Sequence, residues 1–283
     1  MMRFPNKFLS VVLLSLVCVS ARLSLAVEEP MPVDPAMLYE SHSFDFTDGE
    51  AVATLPYRLM RPNSIEAGKH YPLVVFLHGA GERGSDNLAQ LKYFPTWMAS
   101  AEAREAYPCF VLAPQCRSDK WWANFRRDPA EADPLSEPPA ADLGAVATVI
   151  EQMLADLPID HNRVYLTGLS MGGFGSWDLA ARTPERFAAM IPICGGGNPL
   201  LAKRYVGLPI WCFHGGEDAV VRPELSRRMV EAIREAGGEL TYTEYEGVGH
   251  DSWTPAYQDP ATLAWLFKQV REAHEERTPR AAE

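Results

Sequence analysis

Gly168-Leu169-Ser170-Met171-Gly172 is the stretch of sequence that decides the fold. The run before it, 163–167, is short, apolar and strand-like, and the run after it, 173–182, is typical of a helix. A strand, one sharp turn that carries a serine, and a helix form a nucleophile elbow, in which the serine hydroxyl projects from the turn. Gly168 and Gly172 suit such a turn because neighbouring backbone passes too close for a side chain. The pattern predicts an α/β fold with Ser170 at the end of a strand.

The first 26 residues have the features of a secretory signal peptide. Arg3 and Lys7 form a positive start, residues 8–19 are apolar, and residues 24–26 are small enough for a cleavage site. About a dozen apolar residues are too few for a membrane-spanning helix. We therefore expect a secreted or periplasmic protein whose mature chain starts near Val27.

The size and composition of the chain favour one globular domain. With 283 residues, 47% of them apolar, it can bury one sizeable core. Loss of residues 1–26, which hold three basic and no acidic residues, would move the net charge from −11 to −14. Such an acidic surface disfavours nucleic acid and anionic membrane as partners, and the sequence leaves the oligomeric state open. The expected organisation is a signal peptide over 1–26, a leader over 27–37, a single domain over 38–275 and a charged tail over 276–283.

Four cysteines remain after the predicted cleavage: Cys109, Cys116, Cys194 and Cys212. An exported chain meets an oxidising compartment, where disulfides are permitted. Cys109 and Cys116 flank an extended run, which would hold their Cα atoms beyond the roughly 7 Å limit unless the chain turns at Pro114. Small buried hydrophobic residues are the favoured interpretation, with disulfides left open. No Cys-x-x-Cys pair or His/Cys cluster predicts a metal, and no cofactor is expected.

Strand-like and helix-like runs alternate along the chain, which predicts a mostly parallel sheet with helices on both faces. Asp48-Gly49 is a turn signal between the first two strands and favours an antiparallel hairpin there. Strands are predicted at 38–46, 51–60, 71–77, 109–113, 163–168, 187–194, 208–213 and 239–246. Helices are predicted at 86–99, after a cap at Asp142, at 173–182, from Pro223 to Gly237 and from Pro260.

The segment 117–141 interrupts this alternation and is predicted to be a long irregular loop. It has four prolines and no apolar periodicity, and loops of this length in compact domains are often functional. Adjacent side chains on an extended stretch point to opposite sides. We therefore predict that one of Trp121 and Trp122 contacts substrate in a pocket wall and the other packs inward. The alternative is that both tryptophans only pack the loop onto the protein body.

Chemically useful residues follow four of the predicted strands. Ligands bind beyond the carboxyl ends of the strands in such sheets, so residues at these ends should meet. Ser170, Asp218 and His250 follow three different strands in the order nucleophile, acid, histidine. His250 would take the proton of the Ser170 hydroxyl, and Asp218 would fix the imidazole and stabilise its charged form.

Two other acids compete with Asp218 for this role. Glu217 is its neighbour in sequence, and Asp251 adjoins His250, an arrangement that usually points the two side chains apart. His78 and His214 precede glycines at strand ends, where roles in packing the backbone are expected.

An acyl-transfer site also needs N–H donors for the negative oxygen of the tetrahedral intermediate. The residue after the nucleophile supplies one donor, here Met171, and the loop after the 71–77 strand supplies the other, here Ala80. Glu82 and Arg83 follow in the same loop and are expected to brace it, with substrate contact as the alternative.

Taken together, these segments resemble the α/β-hydrolase superfamily, within it the phospholipase/carboxylesterase and dienelactone-hydrolase-like group, and most of all its secreted esterases of the polyhydroxybutyrate-depolymerase and feruloyl-esterase type. The resemblance implies an α/β-hydrolase fold, and the short stretch between Cys194 and Leu208 indicates that it has no large cap domain. The segments that carry it are Leu77-His78-Gly79-Ala80-Gly81-Glu82-Arg83-Gly84, Ala113-Pro114-Gln115-Cys116, 168–173, 214–218 and Gly249-His250.

The function that this resemblance implies is hydrolysis of carboxylic esters through an acyl-serine, on a small-molecule or polymer ester. Plant polysaccharides and polyesters are the substrates that the similar families suggest. A peptidase with the same three residues, and an inactive binding protein on the same scaffold, are the alternatives, because one fold hosts many functions.

Overall fold

The described part of the protein, in a computed structural model, comprises residues 34–124, 135 and 137–271. The predicted signal peptide, most of the predicted leader, the middle of the 117–141 loop and the predicted charged tail lie outside it. Every predicted strand and every predicted site residue lies within it.

One eight-stranded sheet organises the described chain. The strands are β1 Tyr39–Asp48, β2 Ala51–Met60, β3 Tyr71–Leu77, β4 Phe110–Pro114, β5 Ile159–Leu169, β6 Ala189–Ile193, β7 Trp211–Gly215 and β8 Thr241–Tyr245. They lie in the order β1-β2-β4-β3-β5-β6-β7-β8. β1 pairs antiparallel with β2, and β2 with β4, while the pairs from β4 through β8 are parallel. The predicted N-terminal hairpin and mostly parallel sheet are thus confirmed.

Helices cover both faces of this sheet because its central strands are apolar on both sides. The helices are α1 Pro35–Leu38, α2 Phe94–Met98, α3 Ala101–Ala106, α4 Ala141–Asp156, α5 Met171–Arg182, α6 Glu224–Glu235, α7 Trp253–Gln258 and α8 Pro260–Lys268. In β3, Val75 packs into one core cluster with α4, α5 and α6, while Val74 and Phe76 pack into a second cluster with α2, α7 and α8. Helices on two faces are what the alternation of strands and helices predicts.

Two helix predictions were wrong in detail. The helix expected at 86–99 is interrupted, because Asn87 and Tyr93 have positive φ angles of 54° and 61°, and only a 3₁₀ turn and α2 form there. Asp142 does not cap α4, whose N-cap is Ala140. Asp142 instead binds Arg117, with its Oδ1 atom 2.8 Å from the Arg117 Nε atom.

The segment between β6 and β7 is short and holds a single 3₁₀ helix, Pro199–Tyr205, so no large cap domain is inserted there. Cys109, Cys116, Cys194 and Cys212 are buried free thiols, as the favoured interpretation of the sequence had them. Among the described helices, none is long and apolar enough to cross a membrane.

Candidate active site

Ser170 lies in the sharp turn between β5 and α5, with a φ angle of 51° and a ψ angle of −117°. Its N–H donates to the Ile193 carbonyl over 3.0 Å, which ties the turn to β6. Gly172 is required by space, since a Cβ atom there would lie 1.8 Å from the Leu77 carbonyl oxygen. At Gly168 it would lie 2.4 Å from the Gly172 oxygen. The predicted strand, turn and helix are therefore present, and both glycines permit the turn.

A chain of hydrogen bonds joins the three side chains that the sequence singles out. The His250 Nε2 atom lies 3.0 Å from the Ser170 Oγ atom, and the His250 Nδ1 atom lies 2.7 Å from the Asp218 Oδ2 atom. With Nδ1 protonated towards the carboxylate, Nε2 offers its lone pair to the serine hydroxyl. This is the arrangement in which an imidazole can act as a general base.

Asp218 is buried and held from both sides. Its Oδ1 atom accepts from the Val220 and Val221 N–H groups, over 2.8 Å and 2.9 Å. Burial opposes ionisation, but hydrogen bonds from His250 and these two amides outweigh it and lower the pKa of Asp218. The carboxyl is therefore ionised at neutral pH.

Neither competing carboxylate has a hydrogen bond or ion pair with the His250 ring, whose partners are Asp218 and Ser170. Glu217 is exposed. The Asp251 carboxylate turns the other way and accepts from the Thr254 N–H and hydroxyl groups, each over 3.1 Å.

Two N–H groups are available beside Ser170. Ala80 and Met171 each start a helical turn, and no hydrogen bond from either N–H to another described residue is present. A Cβ atom built on Gly79 would lie 3.7 Å from the Ser170 Cβ atom, so the loop after β3 adjoins the serine. The two predicted donors are therefore on segments that meet at this point.

His78 braces the loop that carries Ala80. Its Nε2 atom accepts from the Cys116 N–H over 2.9 Å, and its Nδ1 atom lies 2.6 Å from the Gly79 oxygen. The proton must therefore be on Nδ1. Burial lowers the pKa of His78 to about 4, so the ring is neutral at neutral pH.

The two tryptophans of the 117–141 loop occupy different environments. Trp122 is fully buried, and its indole N–H donates to the His78 carbonyl over 3.1 Å. Trp121 is 49% exposed, with the Arg83 guanidinium 4.9 Å from its ring, and it lines an open groove with Phe44 and Phe46. Of the pair, only Trp121 is accessible from solvent, and the groove that it lines does not include Ser170, Asp218 or His250.

Two aromatic residues beside His250, Trp253 and Tyr93, are not among those that the sequence singles out. The Trp253 ring lies edge-on to the His250 ring, with centroids 5.3 Å apart. Tyr93 packs on Trp253 at 5.4 Å. Tyr93 and Trp253 are 160 positions apart in the sequence, so no local pattern could indicate that they pack together. For the contact between Trp253 and His250, the sequence offers one signal, since Trp253 lies three residues after the histidine.

Cys194, Asp218 and His250 are the one group of possible metal ligands among the described residues, with ligand atoms within 4.8 Å of one another. Burial raises the pKa of the Cys194 thiol well above its usual range. A protonated thiol is a poor ligand, and His250 already directs its two nitrogens at Asp218 and Ser170. These residues do not fit a metal.

Comparison with known proteins agrees with the α/β-hydrolase fold that the sheet and elbow define. Residues 64–262 match the model of the phospholipase/carboxylesterase family, and the chain belongs to that family.

Three similar proteins illustrate the relationship. A probable feruloyl esterase C of Aspergillus niger is 27% identical over 178 residues, 59% of each chain. A poly(3-hydroxyalkanoate) depolymerase C of Paucimonas lemoignei is 29% identical over 150 residues, 48% of this chain and 32% of that protein. The crystal structure of a thermostable esterase superposes with a TM-score of 0.73 at 42% identity, over 82% of this chain and 63% of that one. The chain spans less than two thirds of the length of each.

Proposed function

We propose that this protein hydrolyses carboxylic esters through a covalent acyl-Ser170. The observation that carries the proposal is the hydrogen-bonded chain Asp218–His250–Ser170, with distances of 2.7 Å and 3.0 Å. His250 takes the hydroxyl proton as the Ser170 oxygen attacks the ester carbonyl. The N–H groups of Ala80 and Met171 stabilise the negative oxygen that forms. His250 then gives the proton to the departing alcohol, and water repeats the sequence to release the acid.

We propose that the substrates are ester groups on plant polysaccharides or the ester bonds of polyester chains. Relatives named feruloyl esterase and poly(3-hydroxyalkanoate) depolymerase support this class. The open groove beside Trp121 could accept part of a polymer. Export of the protein is part of the same proposal and depends on the composition of residues 1–26.

The test compares wild type with Ser170→Ala on p-nitrophenyl, feruloyl and acetyl-sugar esters and on peptide anilides. Loss of a nucleophile typically removes several orders of magnitude in rate, so Ser170→Ala should be inactive while its circular dichroism is unchanged. Ser43→Ala, at an exposed position of β1, is the matched control and should keep full activity.

Two results would overturn the proposal. Ser170→Ala activity above about 1% of wild type would remove Ser170 from the role. Faster cleavage of peptide anilides than of esters by wild type would make the protein a peptidase.

A further inference from the structure

A second histidine, His214, contacts the acid of the proposed site and takes no part in the steps above. It lies in β7 with its side chain fully buried. Its Nε2 atom is 2.8 Å from the Val221 oxygen and 3.3 Å from the Asp218 Oδ2 atom. Its Nδ1 atom is 2.7 Å from the Ser226 Oγ atom. The Asp218 Oδ2 atom therefore faces His250 and His214 at once.

The partners of His214 determine where its proton lies. The Val221 carbonyl and the ionised Asp218 carboxylate can only accept hydrogen bonds. The Nε2 atom must therefore carry a proton. The one proton of the Ser226 hydroxyl can go to the Gly195 oxygen, 2.9 Å from its Oγ atom, or to His214 Nδ1, 2.7 Å away. Burial lowers the pKa of His214, in keeping with a neutral ring.

We propose that His214 is a positioning residue that fixes the Asp218 carboxylate for His250 through its Nε2–H group. Two backbone amides hold Oδ1, and the His214 N–H limits the rotation of Oδ2. The carboxylate is thereby held where its charge can stabilise the His250 imidazolium.

The contacts of His214 also connect the acid to the nucleophile turn. Ser226, on α6, has its Oγ atom 2.9 Å from the Gly195 oxygen as well as 2.7 Å from His214. Gly195 lies directly against α5, since a Cβ atom on it would be 2.6 Å from the Gly173 carbonyl carbon. The chain of contacts therefore runs from the Asp218 loop to α5, the helix that directly follows Ser170.

The inference depends on the proposed function, and a double-mutant cycle tests it with p-nitrophenyl acetate. His214→Leu should lower kcat about tenfold or more, with KM changed less than about twofold, because His214 acts through Asp218 and touches no substrate. His214→Gln offers an amide N–H near the Nε2 position and should recover much of the loss. In an Asp218→Asn background, His214→Leu should change kcat by less than about twofold.

A purely structural role would give a different pattern. If His214→Leu costs the same factor with Asp218 and with Asn at 218, or if His214→Gln is as poor as His214→Leu, the proposal is overturned. Phe213→Leu, a buried change on the same strand, is the control, and its effect should be the same in both backgrounds.

A second readout separates this inference from the proposed function. The rate at which a fluorophosphonate labels Ser170 measures the reactivity of the serine without any ester substrate. If wild type is labelled but cleaves no ester, the proposed function fails. The labelling rates of the His214 variants would still show the same pattern if His214 positions Asp218, and equal rates for wild type and His214→Leu would refute it.

Discussion

Ser170 occupies a backbone conformation that is unfavourable for a residue with a side chain. Its φ angle is positive, and holding a non-glycine residue there costs about 1–3 kcal/mol. The turn persists because β5 and α5 are fixed on both sides and because the Ser170 N–H bonds to β6. Close backbone approach at Gly168 and Gly172 makes this geometry possible.

Gly172→Ala is expected to be one of the most damaging small substitutions in the protein. Its Cβ atom would lie 1.8 Å from the Leu77 oxygen, so β3 or the turn would have to move. We expect the free energy of unfolding in urea to fall by about 3 kcal/mol or more. Gly81→Ala is the control, because nothing lies within 4 Å of a Cβ atom there. Equal stability of the two variants would contradict the close approach.

Substitution of the three candidate acids should single out Asp218. Asp218→Asn replaces the acceptor 2.7 Å from His250 Nδ1 with a group that can present an N–H, so the wrong imidazole tautomer is favoured. We expect kcat to fall about 10⁴-fold. Glu217→Gln and Asp251→Asn should leave kcat nearly unchanged, since neither carboxylate has a hydrogen bond or ion pair with the His250 ring. A larger loss in Glu217→Gln than in Asp218→Asn would show that the acid is assigned one residue too far along.

At the scale of elements, the sequence predicts best what depends on local pattern and burial. β3 and β4 are covered on both faces, so they appear as continuous apolar runs. The 86–99 segment is misleading because its composition suits a helix, while Asn87 and Tyr93 adopt positive φ angles. Asp142 is misleading in another way, since its partner Arg117 lies beyond a long loop.

The candidate site likewise has residues that the sequence predicts and contacts that it does not predict. Ser170, Asp218 and His250 could be named because the carboxyl ends of parallel strands meet at one edge of the sheet. The packing of Tyr93 on Trp253 beside His250 could not, because 160 positions separate these two residues in the sequence. The hydrogen bonds of His214 likewise depend on how the loop after β7 curls.

The loop after β4 should respond differently to its two tryptophan substitutions. Trp122→Ala removes a buried ring that packs on Gly175 and caps the His78 carbonyl, and we expect it to cost about 3–5 kcal/mol in unfolding free energy. Trp121→Ala should leave stability nearly unchanged, because the ring is half exposed. It should instead raise KM for feruloyl or polymer esters and not for p-nitrophenyl acetate. Equal kinetic effects of both substitutions on all esters would show that Trp121 only packs the loop onto the protein body.

At the scale of the whole molecule, burial of the neutral His78 ring makes stability depend on pH. Both nitrogens of His78 are engaged in the folded protein, where burial lowers its pKa to about 4. The unfolded chain has an ordinary histidine pKa of about 6.5. Between these values the unfolded state binds a proton that the folded state does not, so protonation favours unfolding.

The free energy of unfolding should therefore fall as the pH is lowered from 6.5 towards 4, and His78 should account for much of the fall. The difference between the two pKa values corresponds to about 3 kcal/mol, fully present above pH 6.5 and lost as the pH approaches 4. His78→Gln keeps an acceptor for the Cys116 N–H and cannot titrate. Urea unfolding at pH 7.5 and pH 4.5 should thus show the stability advantage of wild type over His78→Gln shrinking by about 2–3 kcal/mol at the lower pH. His70→Gln, at an exposed position, is the control and should follow wild type. An advantage that stays constant across this range would mean that His78 is not buried as a neutral ring.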